Sequence, residues 1–479
     1  MKKFKKVLAL SLALAMGLSL AACGNSNNDT TAPNNGGDNT GDSGNVEPAG
    51  DEGSVLNIYV WNTEYAERMA AFMPGYTAND ANNATNGGVF DDGTVVNFIV
   101  TPTDDNAYQN KLDATLPGNE SASADDKVDI FLIEADYALK YVNTDLCMDV
   151  KDLGITDADM SEMYQYTKDI VTDSNGAIKA LSWQATPGLF AYRRSIAEEV
   201  LGTQEPDEVQ QYVKDWDTFN DTAKKMKDAG YYMLAGYDDA YRTFSNNVDK
   251  PWVDGSGNLQ VDPALVKWVE QTKEFTDNGY NNKASLWSAE WSAEQGPTGK
   301  TFGFFYSTWG INFTLLGNSL ETPTSEGGKE EVGNGIYGDY AVCEGPEAYY
   351  WGGTWICAAT GTDNPTLVHD ILYSMTCDKA IAKKITEVTQ DYTNNQAAME
   401  EIANSDFASD FLGGQNHIAL FTEAAPKIDM SNAGPYDQGC NEEFQGAMKD
   451  YFDGNVDYDT ALQNFYNNIS TKYPDVTTP

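Results

Sequence analysis

The chain has 479 residues, with 30 basic against 73 acidic side chains and a formal net charge of −43. Its negative field repels nucleic acid and anionic lipid, and it favours a neutral or cationic ligand over an anionic one. Hydrophobic residues make up 41% of the sequence, enough for the cores of two or three domains. A histidine triad or a histidine-rich metal site would need His369 or His417, the two histidines of the sequence, so we expect neither a metal nor a cofactor.

Residues 1–22 predict a signal peptide, because four lysines precede a short apolar run that ends in small residues. The run is too short for a permanent membrane helix. The sequence Leu-Ala-Ala-Cys that ends at Cys23 resembles the bacterial lipobox, in which the thiol receives a diacylglyceryl group and becomes the mature N-terminus. An ordinary signal peptide with an incidental Cys23 is the alternative. We expect the mature chain to be held at the extracellular face of the cell membrane by its acyl chains.

Residues 23–53 predict a disordered tether, because after Cys23 they consist mainly of Asn, Gly, Asp, Thr, Ser and Pro. Loss of the four leader lysines would change the net charge to −47, with 26 basic against 73 acidic residues. Later in the chain no apolar run reaches the roughly 18 residues that a second membrane span needs.

Residues 55–61, 94–100 and 128–135 each predict a buried strand. Amphipathic helices are predicted around Trp268 and Val368, and another over the run that includes Phe444, with Asn441 as its N-cap and Gly454 as its stop. A last helix carries Leu462, Phe465 and Ile469. Strands that alternate with helices predict α/β layers with mainly parallel sheets. Residues 254–258 lack the ligand spacing of a calcium loop and predict a hairpin turn.

Five cysteines follow Cys23, and no two of them have the spacing of a CxxC motif. An odd number cannot all pair, so we expect buried thiols with one disulfide at most and no zinc site. They are Cys147, Cys343, Cys357, Cys377 and Cys440.

Aromatic residues cluster beside Gly, Asn, Gln and acidic residues at predicted strand ends and loops. Ligands of open α/β sheets bind beyond the carboxyl ends of the strands. A tryptophan ring can cover the apolar face of a sugar, while carboxylates and amides accept hydrogen bonds from its hydroxyls. We assign Trp268 and Trp216 to the core and expect three of five other tryptophans to line a site: Trp61, Trp183, Trp309, Trp351 and Trp355.

Six segments, together with the lipobox and the tether, resemble extracellular solute-binding lipoproteins of family 1, the carbohydrate type, from ABC sugar importers of Gram-positive bacteria. The resemblance covers nearly all of residues 55–475. Its most specific stretches are 181–194 and Trp351-Gly352-Gly353-Thr354-Trp355. The segments are 56–61, 128–141, 180–194, 301–313, 349–359 and 435–451.

The resemblance implies an α/β, two-lobed fold of the type II periplasmic-binding-protein kind, with hinge strands between the lobes. The N-terminal lobe would comprise 54–183 and 350–395, and the C-terminal lobe 184–349 and 396–479. The chain would cross between lobes near Trp183, Tyr349 and Asn395. Arg193 and Arg194 would pair with acidic groups inside a lobe, and loops 79–92 and 322–334 would shape the specificity.

The resemblance also implies a set of ligand contacts, with Glu64 and Asp136 ionised and accepting hydroxyl hydrogen bonds. With Trp61, the candidate residues are Asn62, Glu64, Asp136, Trp183, Gln184, Trp309, Trp351, Trp355, Asp391 and Tyr436.

The function expected on these grounds is capture without catalysis. A monomer would hold a neutral oligosaccharide, such as a xylo-, manno- or malto-oligosaccharide, and deliver it to the permease subunits of an ABC importer. One alternative is a surface glycoside hydrolase, which needs two carboxylates flanking one bond, and Glu64 with Asp136 would be its candidates. A peptide-binding or adhesin lipoprotein is the other.

Overall fold

A computed structural model describes residues 53–479 of the chain. The predicted signal peptide, the lipidation site Cys23 and the tether up to residue 52 lie outside the described residues. None of the helices between residues 53 and 479 has both the length and the apolar character needed to cross a membrane.

The first sheet has seven strands in the order β2-β3-β4-β1-β5-β12-β6. β1 is buried on both faces, because Leu56 and Ile58 pack into one core while Tyr59 packs into another. The three strands predicted from apolar runs are all present, as β1, β4 and β5. The strands of this sheet are β1 (Val55–Val60), β2 (Tyr76–Ala78), β3 (Gly88–Phe90), β4 (Val95–Val100), β5 (Ile130–Glu134), β6 (Leu181–Ser182) and β12 (Thr354–Ala358).

Two smaller sheets come from the middle of the chain. One has the order β10-β7-β11 and is antiparallel throughout, and the other pairs β8 with β9 in parallel. Their strands are β7 (Gly188–Arg193), β8 (Leu234–Gly236), β9 (Asn281–Ala284), β10 (Gly303–Ser307) and β11 (Tyr340–Cys343).

The prediction of mainly parallel sheets is wrong. Of the nine strand pairings in the described part, three are parallel: β1 with β4, β1 with β5, and β8 with β9. β12 enters the first sheet late in the chain and runs antiparallel to β5 and β6. The direction in which β12 runs depends on the path of the chain between β5 and β12, and the composition of the strand does not encode it.

Helices cover the sheets, and several have recognisable caps. Asp215 caps α7 in a capping box with Thr218, and Asp262 caps α9. The helices are α1 (Glu64–Phe72), α2 (Ala107–Thr115), α3 (Ala138–Val142), α4 (Gln165–Asp169), α5 (Arg194–Leu201), α6 (Pro206–Val213), α7 (Trp216–Asp228), α8 (Tyr241–Ser245), α9 (Pro263–Asn278), α10 (Ala289–Glu294), α11 (Thr308–Gly310), α12 (Leu316–Ser319), α13 (Pro365–Leu372), α14 (Lys379–Thr389), α15 (Gln396–Ala403), α16 (His417–Ala424), α17 (Asp437–Phe452) and α18 (Tyr458–Lys472).

Helix α17 begins earlier than predicted. Asn441 lies inside it and does not cap it, because its Oδ1 accepts hydrogen bonds from Tyr241 (2.6 Å) and Trp252 (2.9 Å). The predicted stop is close to the observed end, since α17 ends at Phe452, two residues before Gly454.

Other local predictions agree with the structure. Trp268 is fully buried, and Trp216 begins α7 with its ring stacked on Phe244. Val253 pairs antiparallel with Leu259 across the predicted turn at 254–258. All five cysteines of the described part are unpaired, and four of them are buried, Cys377 being the half-buried one.

Three chain segments run side by side between the first sheet and the β10-β7-β11 sheet. Gln184 pairs antiparallel with Thr393, and Pro187 with Tyr350. The amide of Asn394 donates to the carbonyl of Trp183 at 2.8 Å. These segments, at 183–188, 349–354 and 390–394, are called the crossing segments below.

Gly188 is needed where a crossing segment enters β7. Its amide donates to the carbonyl of Tyr349 at 2.7 Å, and a Cβ added there would lie 2.1 Å from the Tyr349 ring. That ring is held in place, because its single O–H group lies between the carbonyls of Leu189 (2.9 Å) and Tyr306 (3.0 Å) and can donate to either of them. The site therefore has no room for a methyl group.

We expect Gly188→Ala to lower the free energy of unfolding by about 1–3 kcal/mol through this overlap. Gly118→Ala is the matched control, since Gly118 has open space around its Cβ position, and it should be neutral or slightly stabilising. Denaturant unfolding of both variants checks the prediction. Equal stabilities would show that the ring of Tyr349 yields easily.

Candidate functional site

A cleft of about 970 Å³ opens beside the crossing segments. This volume is at the upper end of the range for small-molecule sites. Eight of the eleven residues predicted from sequence line it: Trp61, Asn62, Glu64, Asp136, Gln184, Trp309, Trp351 and Asp391.

Gln184 lies at the floor of the cleft and joins two carboxylates. Its Nε2 donates to Glu64 at 3.0 Å and to Asp391 at 2.9 Å, so both N–H groups of the amide are used. Arg68, one turn along α1 from Glu64, approaches the same Glu64 oxygen at 3.4 Å. The sequence places Glu64 at the start of α1, directly after β1, and that position directs it toward the floor.

Asp391 is buried beneath the floor and fully engaged by neutral donors. Its Oδ1 accepts from the Thr308 hydroxyl at 2.6 Å and from the Tyr392 amide at 2.8 Å, while Oδ2 accepts from Gln184. Thr308 belongs to α11, which follows β10. One carboxylate thus connects two crossing segments with the end of a strand from the other sheet.

Asp136 forms a bidentate ion pair with Arg242 of α8. Both oxygen–nitrogen distances are 2.6 Å. Asp136 was predicted to accept sugar hydroxyls, but Arg242 already occupies one lone-pair direction on each of its oxygens. Glu134, next to this pair, accepts from the amide of Asp136, and its pKa is raised by burial and by the charge of Asp136.

The wall opposite α1 is aromatic. Trp309 and Trp351 meet edge to face with ring centroids 5.2 Å apart, and Trp309 donates its Nε1 hydrogen to the Trp351 carbonyl at 2.8 Å. Gly352 must lack a side chain here, because a Cβ would lie 2.9 Å from that indole nitrogen, and its φ is +73°. Across the cleft, Trp61 packs on Tyr108 at 5.4 Å.

Three predicted residues do not line the cleft. Trp183 is 1% exposed and stacks on Tyr65, and Trp355 is 1% exposed and donates to the carbonyl of Thr167. Tyr436 precedes α17 and packs on Tyr473. The Trp183 and Trp355 side chains belong to the packed interior, and Tyr436 lies at the N-terminal end of α17.

Other lining residues were missed. Trp287 and Phe313 are exposed aromatic residues, and Arg242, Arg68 and Glu134 are charged. Trp287 comes three residues after β9, but the Asn-Asn-Lys-Ala sequence of β9 has no apolar run that would predict a strand. Phe313 lies in a short helix, away from a strand end. Arg193 pairs with Asp339 at 2.7 Å, as the resemblance implied. Arg194 was expected to pair with an acidic group as well, but it donates to backbone carbonyls.

Within residues 53–479, no group of three or more His, Cys, Asp or Glu side chains is arranged to hold a metal ion. The cleft therefore presents carboxylates, amides, two arginines and aromatic faces. This chemistry suits a ligand with hydroxyl groups and apolar faces.

The model of the bacterial extracellular solute-binding protein family matches residues 57–410 of the chain. The chain belongs to this family. No match was found among curated proteins.

Solved structures confirm the predicted fold class, the α/β fold of periplasmic binding proteins. A crystal structure of an extracellular solute-binding protein of family 1 has a TM-score of 0.67 at 16% identity, covering 86% of this chain and 99% of that one. An ABC-transporter-associated binding protein from B. animalis subsp. lactis has a TM-score of 0.64 at 15% identity, covering 89% and 100%. The galacto-N-biose-/lacto-N-biose I-binding protein from Bifidobacterium longum has a TM-score of 0.62 at 14% identity, covering 90% and 100%.

The stability of this solute-binding protein should depend on the protonation of Glu64. Burial raises the pKa of Glu64 to about 7, an effect that Arg68 opposes and Asp391 reinforces. The unfolded chain releases this proton near pH 4.3. The folded state thus holds a proton that the unfolded state has lost, and stability falls as the pH rises from about 4.5 to about 7.

We expect the melting temperature to decrease between pH 5 and pH 8 and the Glu64→Gln variant to show a shallower decrease over the same interval. Glu326→Gln is the control and should keep the wild-type slope, since Glu326 is exposed, does not line the cleft and is not among the groups that shift the pKa of Glu64. Thermal unfolding at stepped pH measures both. A Glu64→Gln slope equal to that of the wild type would contradict the assignment.

Proposed function

We propose that this solute-binding protein captures a neutral oligosaccharide between two lobes and delivers it to the permease of an ABC importer. The observation that carries the proposal is the composition of the cleft, which combines tryptophan faces with carboxylate and amide groups. Sugars present an apolar C–H face and a rim of hydroxyls. The face can stack on the tryptophan rings, and the hydroxyls can donate to the carboxylate and amide oxygens.

The similar structures support a sugar ligand. The B. animalis protein is described in complex with β-1,6-galactobiose and the B. longum protein with lacto-N-biose. Several tryptophans in one cleft favour two or more sugar units over a monosaccharide. We propose plant-polysaccharide fragments, such as xylo-, manno- or malto-oligosaccharides, as the first ligands to test.

Capture requires movement but no chemical step. The N-terminal lobe would comprise 54–183 and 350–395, the C-terminal lobe 184–349 and 396–479, and the crossing segments would act as the hinge. A sugar that contacts both lobes stabilises the closed form by its differential affinity for that form. The permease would recognise the closed, loaded monomer.

The hydrolase alternative has less support from the geometry. Its candidate carboxylates already have partners, since Asp136 pairs with Arg242 on both oxygens and Glu64 accepts from Gln184. A retaining or inverting glycosidase needs one free acid and one free base or nucleophile beside the scissile bond.

Calorimetric titration of the chain from residue 24 onward with a panel of neutral oligosaccharides tests the proposal, with product analysis of every mixture. We expect micromolar binding and recovery of intact sugar.

Trp309→Ala should weaken binding about tenfold, because one stacking face is lost. Tyr373→Ala is the control, since Tyr373 is exposed but does not line the cleft. Cleaved sugar would show that the protein is a glycoside hydrolase. Peptide binding without sugar binding would show that it is a peptide-binding lipoprotein.

We also propose that Cys23 is lipidated after removal of residues 1–22 and that the chain is thereby anchored at the extracellular face of the membrane. Labelling of expressing cells with radioactive palmitate should mark the wild type, and Cys23→Ser should lose both the label and retention in the membrane fraction. Two acyl chains suffice for stable anchoring. Cys377→Ser is the control and should keep both, and a labelled Cys23→Ser chain would disprove the site.

A further inference from the structure

Two exposed aromatic side chains lie at the mouth of the cleft. Large apolar side chains are mostly buried in the described part of the chain, yet Trp287 is 53% exposed and Phe313 is 75% exposed, and both line the cleft. Tyr373, 38% exposed, is an exposed aromatic residue that does not line it. We call Trp287 and Phe313 the outer aromatic pair.

Trp287 is held in a backbone conformation that bulky residues rarely adopt. Its φ is +67°, in the left-handed region, where the Cβ approaches the following carbonyl. The neighbouring residues enforce this conformation. The Leu286 amide donates to Asp238 at 3.3 Å, and the Ser288 hydroxyl accepts from the amide of Trp291, whose indole donates to buried Asp239 at 2.7 Å. Such conformations cluster at ligand sites, where a side chain has to be aimed.

Phe313 also sits on unusual backbone. It is the third residue of the π-helix Ile311–Leu315, which follows α11. π-helical turns are rare and frequently occur at functional sites. In the same turn, Asn312 donates toward the carbonyl of Thr389 at 3.4 Å, which links the π-helix to the end of α14 beside a crossing segment.

The outer aromatic pair continues the inner wall of the cleft. Trp309 contacts both members, with its ring stacked on Trp287 at 6.1 Å and 20° and tilted on Phe313 at 6.4 Å and 60°. Trp287 also packs directly on Trp351, with ring centroids 5.9 Å apart and 53° between the rings. Farther in, Trp309 contacts Trp351 at 5.2 Å. Apolar rings therefore extend without a break from Trp351, which is 8% exposed, to Trp287 and Phe313, which face solvent.

We propose that the outer aromatic pair is a separate sugar subsite, which binds a ring of an oligosaccharide that projects beyond the closed cleft. The inference rests on the proposed function and adds ligand length to it. The ligand class is a neutral, unbranched oligosaccharide that is longer than the inner cleft can enclose. Trp287 is the residue that sets this length preference.

The test uses Trp287→Asn in the chain from residue 24 onward. Asparagine tolerates the left-handed conformation, so the variant removes the ring without adding backbone strain, and a cooperative thermal unfolding transition should show that it is folded. The probe is a series of unbranched oligosaccharides of one linkage, from disaccharide to hexasaccharide, taken from the sugar that the wild type binds. Dissociation constants are measured by calorimetry for each length.

We expect wild-type affinity to rise with length until the outer subsite is filled. Trp287→Asn should lose about tenfold more affinity for the longest ligand than for the shortest. Phe313→Ala should show the same length-dependent pattern, and Tyr373→Ala should match the wild type at every length.

Two results would overturn the inference while leaving the proposed function intact. One is an equal loss of affinity at all lengths, which would assign Trp287 to the inner site. The other is no loss at any length, which would leave the pair as a surface for contact with another protein. If the wild type binds no neutral oligosaccharide, the proposed function fails, and this inference fails with it.

Discussion

The cleft depends on one buried amide, that of Gln184. Its two N–H groups hold Glu64 of α1 and Asp391 of a crossing segment, while its backbone pairs with Thr393. Removing either carboxylate would leave a buried polar group without a partner, a cost larger than the net gain from an ordinary hydrogen bond. These hydrogen bonds therefore hold the residues of the cleft floor in fixed positions.

The walls of the cleft differ in what they present. On the α1 side polar groups accompany Trp61 and Tyr108, and across from it the wall is aromatic. The Asp136–Arg242 pair connects the end of β5 with α8. Both side chains are about one quarter exposed. The bidentate pair fixes the orientation of the Arg242 guanidinium at the cleft.

Much of this arrangement could be predicted from sequence, because buried strands are apolar runs and ligand groups follow strand ends. That rule found Trp61, Glu64 and Gln184. It failed for Trp183 for a geometric reason. Neighbouring residues of an extended chain point to opposite sides, so a segment that turns Gln184 toward the cleft turns Trp183 into the core. The sequence alone does not say which of the two faces inward.

Other features depend on contacts between distant parts of the chain. Arg242 and Asp136 are 106 positions apart, and neither carries a local sign of the other. The direction of β12 depends on where the chain returns. Trp287 follows β9, a strand with no apolar run, and the segment around it is held through Asp238 and Asp239. Such constraints become visible once the tertiary structure is known.

The unpaired cysteines have a practical consequence. Burial raises the pKa of the Cys343 and Cys440 thiols, and that of Cys377 is raised to about 11, so in the described part these groups stay protonated and react slowly with alkylating reagents. Folding of this part requires no oxidant and no disulfide isomerase. A single cysteine introduced on each side of the cleft would accordingly accept a fluorophore pair with little background labelling, and the separation of the two walls could then be followed in single molecules as solute enters.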